Sequence, residues 1–267
     1  SWTSAVLMEE FNRHGLQFVC FDALGAHKGL KQLPNVVEIV PTMEMHPNME
    51  RFVDEIEKNP EMSAVIDCSM VDDATVQKII GDYVEHLFKK RMGRGIMTII
   101  EECQDLVPQN KPSLLSYGPI VKLCKKGRQY GYGVCLISQR PASVSKEALS
   151  QCSVYMIHNL INHRDLKAIE DQMGFGTDKS EVKKVLGGIS AAQQGEVVCY
   201  SPSYFRDEGF FRASKIRDDR KVNHTGNNIE MKPATYSAET NFNPEPSRTL
   251  SPIGEWKTNA SEFGMKG

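Results

Sequence analysis

The sequence predicts an α/β fold in which a mostly parallel sheet lies between helices. Short apolar segments recur along the chain, and helical patterns separate many of them. Most of the segments are nearly continuous apolar runs, which is typical of strands covered on both faces. The predicted strands are 17–22, 36–40, 63–69, 96–101, 133–138, 154–159 and 195–200.

The predicted helices are supported by apolar spacing and by end signals. A helix opens the chain before the first strand. The segment 72–92 has one broad apolar stripe, with acids in its first turn and basic residues at its end that match the helix dipole. Residues 113–127 are predicted to form another helix with an apolar side. Gly187 and Gly188 are expected to end the last helix. Shorter helices are predicted at 145–152, 163–173 and 178–187.

Composition and charge narrow the class of protein. The 267 residues are 40% hydrophobic and 25% charged, which is ordinary for a soluble globular protein. The net charge of −2 creates no overall field for nucleic acid or membrane, so such contacts would need a local patch. No apolar run is long enough to span a membrane, and no membrane partner is expected. The seven cysteines lack metal-ligand spacing, and several lie in apolar segments, which indicates a reducing, cytoplasmic environment.

Composition also divides the chain. Residues 1–201 carry the alternating pattern and form the predicted core, and residues 202–222 form a basic segment at its end. Residues 223–267 are rich in Asn, Thr, Ser and Pro without a sustained period, so they should not fold alone. They nevertheless carry isolated large apolar side chains such as Trp256. Two interpretations stay open: a disordered tail, or an extended arm that lies on its own core or on a neighbour.

The stretch MTIIEE, residues 97–102, ends an apolar strand in two adjacent acids, Glu101 and Glu102. Like charges repel and resist burial, so the pair makes sense beside a positive group such as a metal ion. An apolar strand that ends in an acid followed by Glu is typical of the Walker B motif of P-loop proteins that hydrolyse nucleotides. The pattern also occurs by chance, so it does not decide the function alone.

Three further stretches bear on this interpretation. The chain opens SWTSAVLMEE, a helix of the kind that follows a phosphate-binding loop, in which Ser1 would be the last loop residue. Residues 125–141, KKGRQYGYGVCLISQRP, combine a basic helix end, a glycine-rich turn, a buried strand and then a polar Ser-Gln-Arg-Pro run. The segment NHRDLKAIE, residues 162–170, follows further along.

Together, IIEECQDLVP, KKGRQYGYGVCLISQRPASVSKEALSQC and NHRDLKAIE resemble the HerA-like branch of the HerA/FtsK superfamily of RecA-fold ATPases. The resemblance covers about residues 1–221, and the GRxxG…SQRP block is its strongest motif. Members of this family are ring-forming, usually hexameric, ATP-driven DNA translocases that serve in DNA end processing, conjugation, viral genome packaging and phage defence. The resemblance implies a RecA-like P-loop core, ATP and Mg²⁺ as cofactors, a homo-oligomeric ring, sequence-independent DNA contact and a partner such as a nuclease.

The resemblance also implies catalytic roles. Glu101 would be the acid on the Mg²⁺ side, and Glu102 would be the catalytic acid. Gln139 would sense the γ-phosphate or the attacking water, and Arg128 would be an arginine finger offered to the next subunit's nucleotide. Plainer alternatives stay open, since Arg128 could be a cation at a helix end and Gln139 could cap a neighbouring turn.

Ser1 and Asp22 would contribute to the cofactor site. Ser1 would place its hydroxyl on Mg²⁺, or it could be an ordinary helix N-cap. Asp22 ends the strand after the first helix, where the family also has an acid, or it could cap the following turn. The next loop departs from the family pattern, because Ala26 and His27 stand where an acid and an aromatic residue are common. His27 has no metal-ligand spacing and is interpreted as structural.

The phosphate-loop sequence G-x-x-x-x-G-K that would precede Ser1 is not in the chain. Either the chain is a fragment or nucleotide binding has been lost, and the odd start at that serine favours the fragment. The expected function is an ATP-driven motor subunit of a ring-shaped DNA translocase, and the alternative is a non-catalytic scaffold that holds a partner. DNA contact would use basic clusters, which solvated helix ends explain equally well. The clusters are Lys89, Lys90, Arg91 and Arg94, and Lys122, Lys125 and Lys126.

Overall fold

The computed structural model describes residues 2–173, 179–205 and 211–217, so Ser1 and the predicted arm 223–267 lie outside the described residues. The helices are α1 (Trp2–Arg13), α2 (Met49–Lys58), α3 (Asp73–Lys90), α4 (Tyr117–Lys126), α5 (Lys146–Leu149), α6 (His163–Met173) and α7 (Lys179–Ala191). The strands are β1 (Gln17–Asp22), β2 (Val36–Ile39), β3 (Ser63–Asp67), β4 (Ile96–Ile100), β5 (Tyr132–Leu136), β6 (Tyr155–Ile157), β7 (Glu196–Tyr200) and β8 (Phe211–Lys215). Within these ranges no helix combines the length and the apolar character needed to cross a membrane.

Strands β1 to β5 form a parallel sheet in the order β2-β3-β1-β4-β5. The central strand β1 pairs on one side with β4, where Phe21 is the partner of Ile100, and on the other side with β3, where Asp22 is the partner of Asp67. Every residue of β1 and β3 is buried, whereas β5 at the edge is mostly half-buried. The carboxyl ends of β3, β1 and β4 therefore meet at one edge of the sheet.

Helices cover both faces of this sheet. Phe18 and Cys20 of β1 pack in a core cluster with Met8 of α1. Phe21 points to the opposite face, because successive strand side chains alternate, and it meets Tyr83 of α3 edge-on with ring centroids 5.2 Å apart. Burial of each side chain of this size stabilises the fold by about 1.5–3 kcal/mol. The predicted α/β fold with a parallel sheet between helices is confirmed.

The last three strands belong to a second unit. There β6, β7 and β8 form an antiparallel sheet, with Cys199 opposite Met156 on one side and Arg212 on the other. Ile169 of α6 and Val185 of α7 pack into the core of this unit. The alternation of strands and helices predicts parallel pairing instead, because an apolar run looks the same in either direction. β8 lies in the segment 202–222, for which no strand is predicted.

The predicted end of the last helix at Gly187 and Gly188 is wrong, because α7 continues to Ala191. A glycine inside a helix costs about 1 kcal/mol relative to alanine. Ile189 follows the two glycines and is fully buried in the core of the second unit. Burial of such a side chain contributes about 1.5–3 kcal/mol, so tertiary packing outweighs the local preference.

Gly131 and Gly93 test how tightly the turn before β5 is packed. Both have positive φ, +81° and +67°, a conformation that costs about 1–2 kcal/mol once a side chain is present. A Cβ at Gly131 would lie 2.5 Å from Arg94 O, whereas a Cβ at Gly93 would have no atom within 4 Å. We expect Gly93→Ala to lower the free energy of unfolding by about 1–2 kcal/mol, and Gly131→Ala by about 1–3 kcal/mol more. Urea denaturation compares the variants, and equal losses would contradict the close approach.

Candidate active site

Three neighbouring strands of the parallel sheet end in acids. Asp67 of β3 pairs in register with Asp22 of β1, and Glu101 directly follows β4, whose Ile100 pairs with Phe21. The three carboxylates therefore lie at the same edge, where ligands gather in open parallel sheets. All three residues are at most 3% exposed. Because a buried carboxylate needs hydrogen-bond donors or a cation, the partners of each one define the chemistry of the site.

Glu101 is held by side chains from two separate elements. Its Oε1 accepts a hydrogen bond from Ser4 Oγ of α1 at 2.5 Å and one from His27 Nε2 at 2.7 Å. Burial alone would raise the pKa of Glu101, but the hydrogen bonds from His27 and Ser4 outweigh it and lower the pKa below its ordinary value. The carboxylate is therefore ionised at neutral pH and can attract a cation.

The loop after β1 is organised by Asp22. Its carboxylate accepts the backbone N–H of Leu24 at 3.2 Å and that of His27 at 2.7 Å. Gly25 in this loop has a φ of +66°, and a Cβ there would come within 3.1 Å of three neighbouring side-chain atoms. Asp22 thus caps the turn that carries His27 to the acids, which is the plainer of the two roles predicted for it.

Asp67 is the third of the buried acids at this edge, and the sequence pattern did not single it out. The signal was present, because Asp67 ends an apolar strand just as Asp22 does. Its carboxylate lies 3.2 Å from Lys28 Nζ and accepts the backbone N–H of Ser69 at 3.0 Å. Burial would raise the pKa of Asp67, but the bonds from Ser69 and Lys28 lower it on balance. Lys28, from the segment after β1, therefore neutralises the charge of Asp67.

Glu102 has a different environment from Glu101. Its φ of +48° is a left-handed conformation that is uncommon for a residue other than glycine, and its side chain is partly exposed. Gln139 Nε2 donates to its Oε1 at 2.8 Å, and Gln104 Nε2 donates to its Oε2 at 2.7 Å. Ser138 Oγ in turn donates to Gln104 Oε1 at 2.6 Å. The structure therefore brings Glu102 and Gln139 together, with Gln104 as a further partner that the motif did not suggest.

Arg128 and Ser1 are not joined to these acids by contacts in the described residues. Ser1 lies outside those residues. Arg128 is exposed in the short helix Gly127–Tyr130, which directly follows α4. Its guanidinium makes no ion pair within the part of the chain that the structure describes. A guanidinium in this position is accessible to a second molecule.

The basic clusters predicted to contact DNA are engaged largely within the chain. Lys89 and Lys90 have acid partners 2.7 and 2.6 Å away. Lys125 also has an acid partner, and Lys122 Nζ lies 4.5 Å from the centroid of the Phe88 ring. Cations paired in this way offer less positive potential to a phosphate, so these contacts agree with solvated helix ends.

A magnesium ion fits this edge only when waters and phosphate oxygens complete its coordination shell. Within residues 2–173, 179–205 and 211–217, no group of three or more His, Cys, Asp or Glu side chains is arranged to hold a metal. Mg²⁺ commonly binds one or two carboxylates and completes its shell with waters and phosphate oxygens. Glu101 offers an ionised oxygen donor, and its Oε2 has no hydrogen-bond partner among the described residues. The residues present therefore suit Mg²⁺ that arrives with a phosphate ligand.

No family model matches the chain. The chain is 24% identical over 144 residues to the DNA double-strand break repair helicase HerA of Sulfurisphaera tokodaii, and 25% identical over 178 residues to that of Pyrococcus furiosus. The chain is a distant relative of the HerA helicases. These matches cover 50% and 52% of the chain but 28% and 30% of the two HerA proteins. A protein of Methanocaldococcus jannaschii named as a probable helicase is 36% identical over 109 residues, which is 41% of the chain and 20% of that protein.

The fold of this HerA relative is also similar to that of a solved structure. The genome packaging NTPase B204 of Sulfolobus turreted icosahedral virus 2, in complex with AMPPCP, superimposes with a TM-score of 0.50 over 78% of the chain and 86% of B204. The identity is 10%, so the likeness concerns the fold alone. The chain therefore has an α/β fold similar to that of this packaging NTPase. Asp22, Asp67 and Glu101 lie at the carboxyl edge of its parallel sheet.

Asp22 should matter first for the stability of its loop. Asp22→Ala would leave two backbone N–H groups without their acceptor, and we expect a loss of about 2–4 kcal/mol in the free energy of unfolding. Asp22→Asn keeps an acceptor oxygen and should cost less. The exposed Asp105→Ala is the control and should stay within about 0.5 kcal/mol of the parent protein. Urea unfolding that finds Asp22→Ala as stable as this control would contradict the capping role.

Proposed function

We propose that the chain is the nucleotide-hydrolysing core of a ring-shaped, ATP-driven DNA translocase. The observation that carries this proposal is the difference between two adjacent acids at the end of β4. Glu101 is buried, ionised and held by its own chain, whereas Glu102 is partly exposed and contacts the amide of Gln139. The distant relationship to HerA helicases supports the translocase class, and the likeness in fold to a packaging NTPase solved with AMPPCP supports ATP as the nucleotide.

The two acids would divide the work of hydrolysis. A magnesium ion bound with ATP would supply positive charge to the phosphates during phosphoryl transfer. Glu101 would hold the metal side of the site through Oε2, because Ser4 and His27 occupy Oε1. Glu102 would accept a proton from the attacking water. Each of its oxygens accepts one amide hydrogen bond in the structure and keeps a second lone pair that could accept the proton of the water.

Gln139 and Ser1 would complete the site around the phosphates. The Gln139 side chain is exposed at the end of β5, so its amide can exchange Glu102 for a phosphate or a water oxygen. This exchange would make Gln139 a sensor of the bound nucleotide. Ser1 directly precedes α1, and its hydroxyl would lie on the metal. Asp22 would act on the cofactor indirectly, through the loop that it caps.

The exposed position of Arg128 is the observation that supports a ring assembly. An exposed guanidinium with no ion pair among the described residues can reach the nucleotide of an adjacent subunit and stabilise the charge that develops there. We propose a homo-hexameric ring in which each subunit completes its neighbour's site. DNA contact would be sequence-independent and made by local cations, because the net charge is only −2. An effector such as a nuclease is the proposed partner.

Glu102→Gln tests the hydrolytic role directly. The substitution keeps the size and the hydrogen-bonding capacity of the side chain but removes the base. In the full-length protein we expect ATP to bind with little change while turnover falls by about 10²-fold or more. Steady-state ATPase assays measure this, with the exposed Glu44→Gln as the matched control that should keep full activity. Unchanged turnover in Glu102→Gln would refute the assignment, and a parent protein that neither binds nor hydrolyses ATP would favour the scaffold.

Arg128→Ala tests the contribution of one subunit to the next. We expect the variant to bind ATP normally and to lose about 10³-fold or more in turnover. Lys126→Ala removes a neighbouring exposed cation and should leave turnover nearly unchanged. When Arg128→Ala and Glu102→Gln proteins are mixed, some activity should return, because certain interfaces then have both the arginine and the acid. Mixed rings with verified subunit exchange and no recovered activity would argue against a finger that acts between subunits.

A further inference from the structure

The loop after β1 buries a histidine against the first acid of β4. His27 is 1% exposed, and its Nε2 lies 2.7 Å from Glu101 Oε1. An ionised carboxylate can only accept hydrogen bonds, so Nε2 is the ring nitrogen that carries a proton. A hydrogen bond to an ionised acceptor is roughly twice as strong as one between neutral groups. The imidazole is therefore a firm anchor for one oxygen of Glu101.

The backbone of His27 is fixed on both sides. Its N–H donates to Asp22 Oδ2 at 2.7 Å, and its C=O accepts the N–H of Leu30 at 3.0 Å. Gly25 allows the tight turn before His27, because its φ of +66° is strained for a residue that carries a side chain. The ring is also 1% exposed, so its surroundings and these backbone bonds together hold it beside Glu101.

Ser4, on helix α1, gives Glu101 a second hydrogen bond. We call His27 and Ser4 together the clamp on Glu101. Ser4 Oγ donates to the same Oε1 at 2.5 Å and lies 3.3 Å from His27 Nε2. Two donors on different elements therefore hold a single oxygen of Glu101. The other oxygen, Oε2, has no hydrogen-bond partner among the described residues.

We propose that His27 is a positioning residue that, together with Ser4, holds Glu101 in the orientation in which Oε2 receives a divalent cation. This inference rests on the proposed function. Because the His27 ring is buried against Glu101, its contribution should appear in the magnesium dependence of nucleotide binding and not in metal-free binding. Groups that orient a metal ligand commonly change metal affinity by about 10–100-fold when they are removed.

Three variants separate positioning from simple packing. His27→Leu substitutes an apolar side chain of similar size and removes the donor. His27→Gln keeps an N–H donor that can reach Glu101. Ser4→Ala removes the second donor to the same oxygen and tests the clamp even if His27→Leu fails to fold. His14→Leu, at an exposed position directly after α1, is the matched control.

The experiment measures binding of a fluorescent ATP analogue to the full-length protein while Mg²⁺ is titrated, and again in excess EDTA. We expect His27→Leu to raise the Mg²⁺ concentration at half-maximal binding by about 10–100-fold, and Ser4→Ala to shift it in the same direction. His27→Gln should restore most of the shift, and His14→Leu should match the parent. Binding in EDTA should be unchanged in all four variants, and thermal melts confirm that each variant is folded.

The contrary outcomes are distinct. A magnesium midpoint that stays at the parent value in folded His27→Leu and Ser4→Ala would overturn the positioning role while the proposed function stands. Equal loss of binding in EDTA and in Mg²⁺ would show that His27 only supports the fold, which also overturns it. A parent protein that binds no nucleotide under any condition would overturn the proposed function and the positioning role together.

Discussion

The buried negative charge of Glu101 constrains much of the surrounding structure. A carboxylate removed from water costs several kcal/mol unless donors replace the lost hydration. Ser4 and His27 are those donors, at 2.5 and 2.7 Å. Ser4 requires α1 to pass close to the end of β4, and His27 requires the loop after β1 to turn back over the sheet edge. The cap by Asp22 and the positive φ of Gly25 make that turn possible.

Glu102, the next residue, has an environment that differs from that of Glu101. Glu102 is partly exposed, its backbone is left-handed, and neutral amides hold its carboxylate. A non-glycine residue in this conformation costs of order 1–3 kcal/mol, and such residues cluster at functional sites. A buried ionised acid beside a partly exposed one suits a site that must hold a cation and move a proton. Gln139 links Glu102 to the end of β5, so a change at one strand end can reach the next.

The sequence predicted the features that depend on residues close together in the chain. The bounds predicted for β1 and α6 agree with the structure, as does the acid pair that ends β4. Helix α2 was missed although its Asn48 cap and amphipathic spacing were present in the sequence. The antiparallel pairing of β6 to β8 could not be predicted, because apolar runs do not encode their partners. His27 and Ser4 could not be found either, since they lie 74 and 97 residues from Glu101 and only the fold brings them there.

The most direct test of the central claim is an experimental structure of the full-length protein with Mg²⁺ and a non-hydrolysable ATP analogue. The account predicts the metal beside Oε2 of Glu101, directly or through one water, while Oε1 stays bonded to His27 and Ser4. It also predicts that Glu102 faces a water near the terminal phosphate at about 3 Å. A nucleotide bound away from the carboxyl edge of β4, or a metal on that edge with Glu101 turned away from it, would contradict the account.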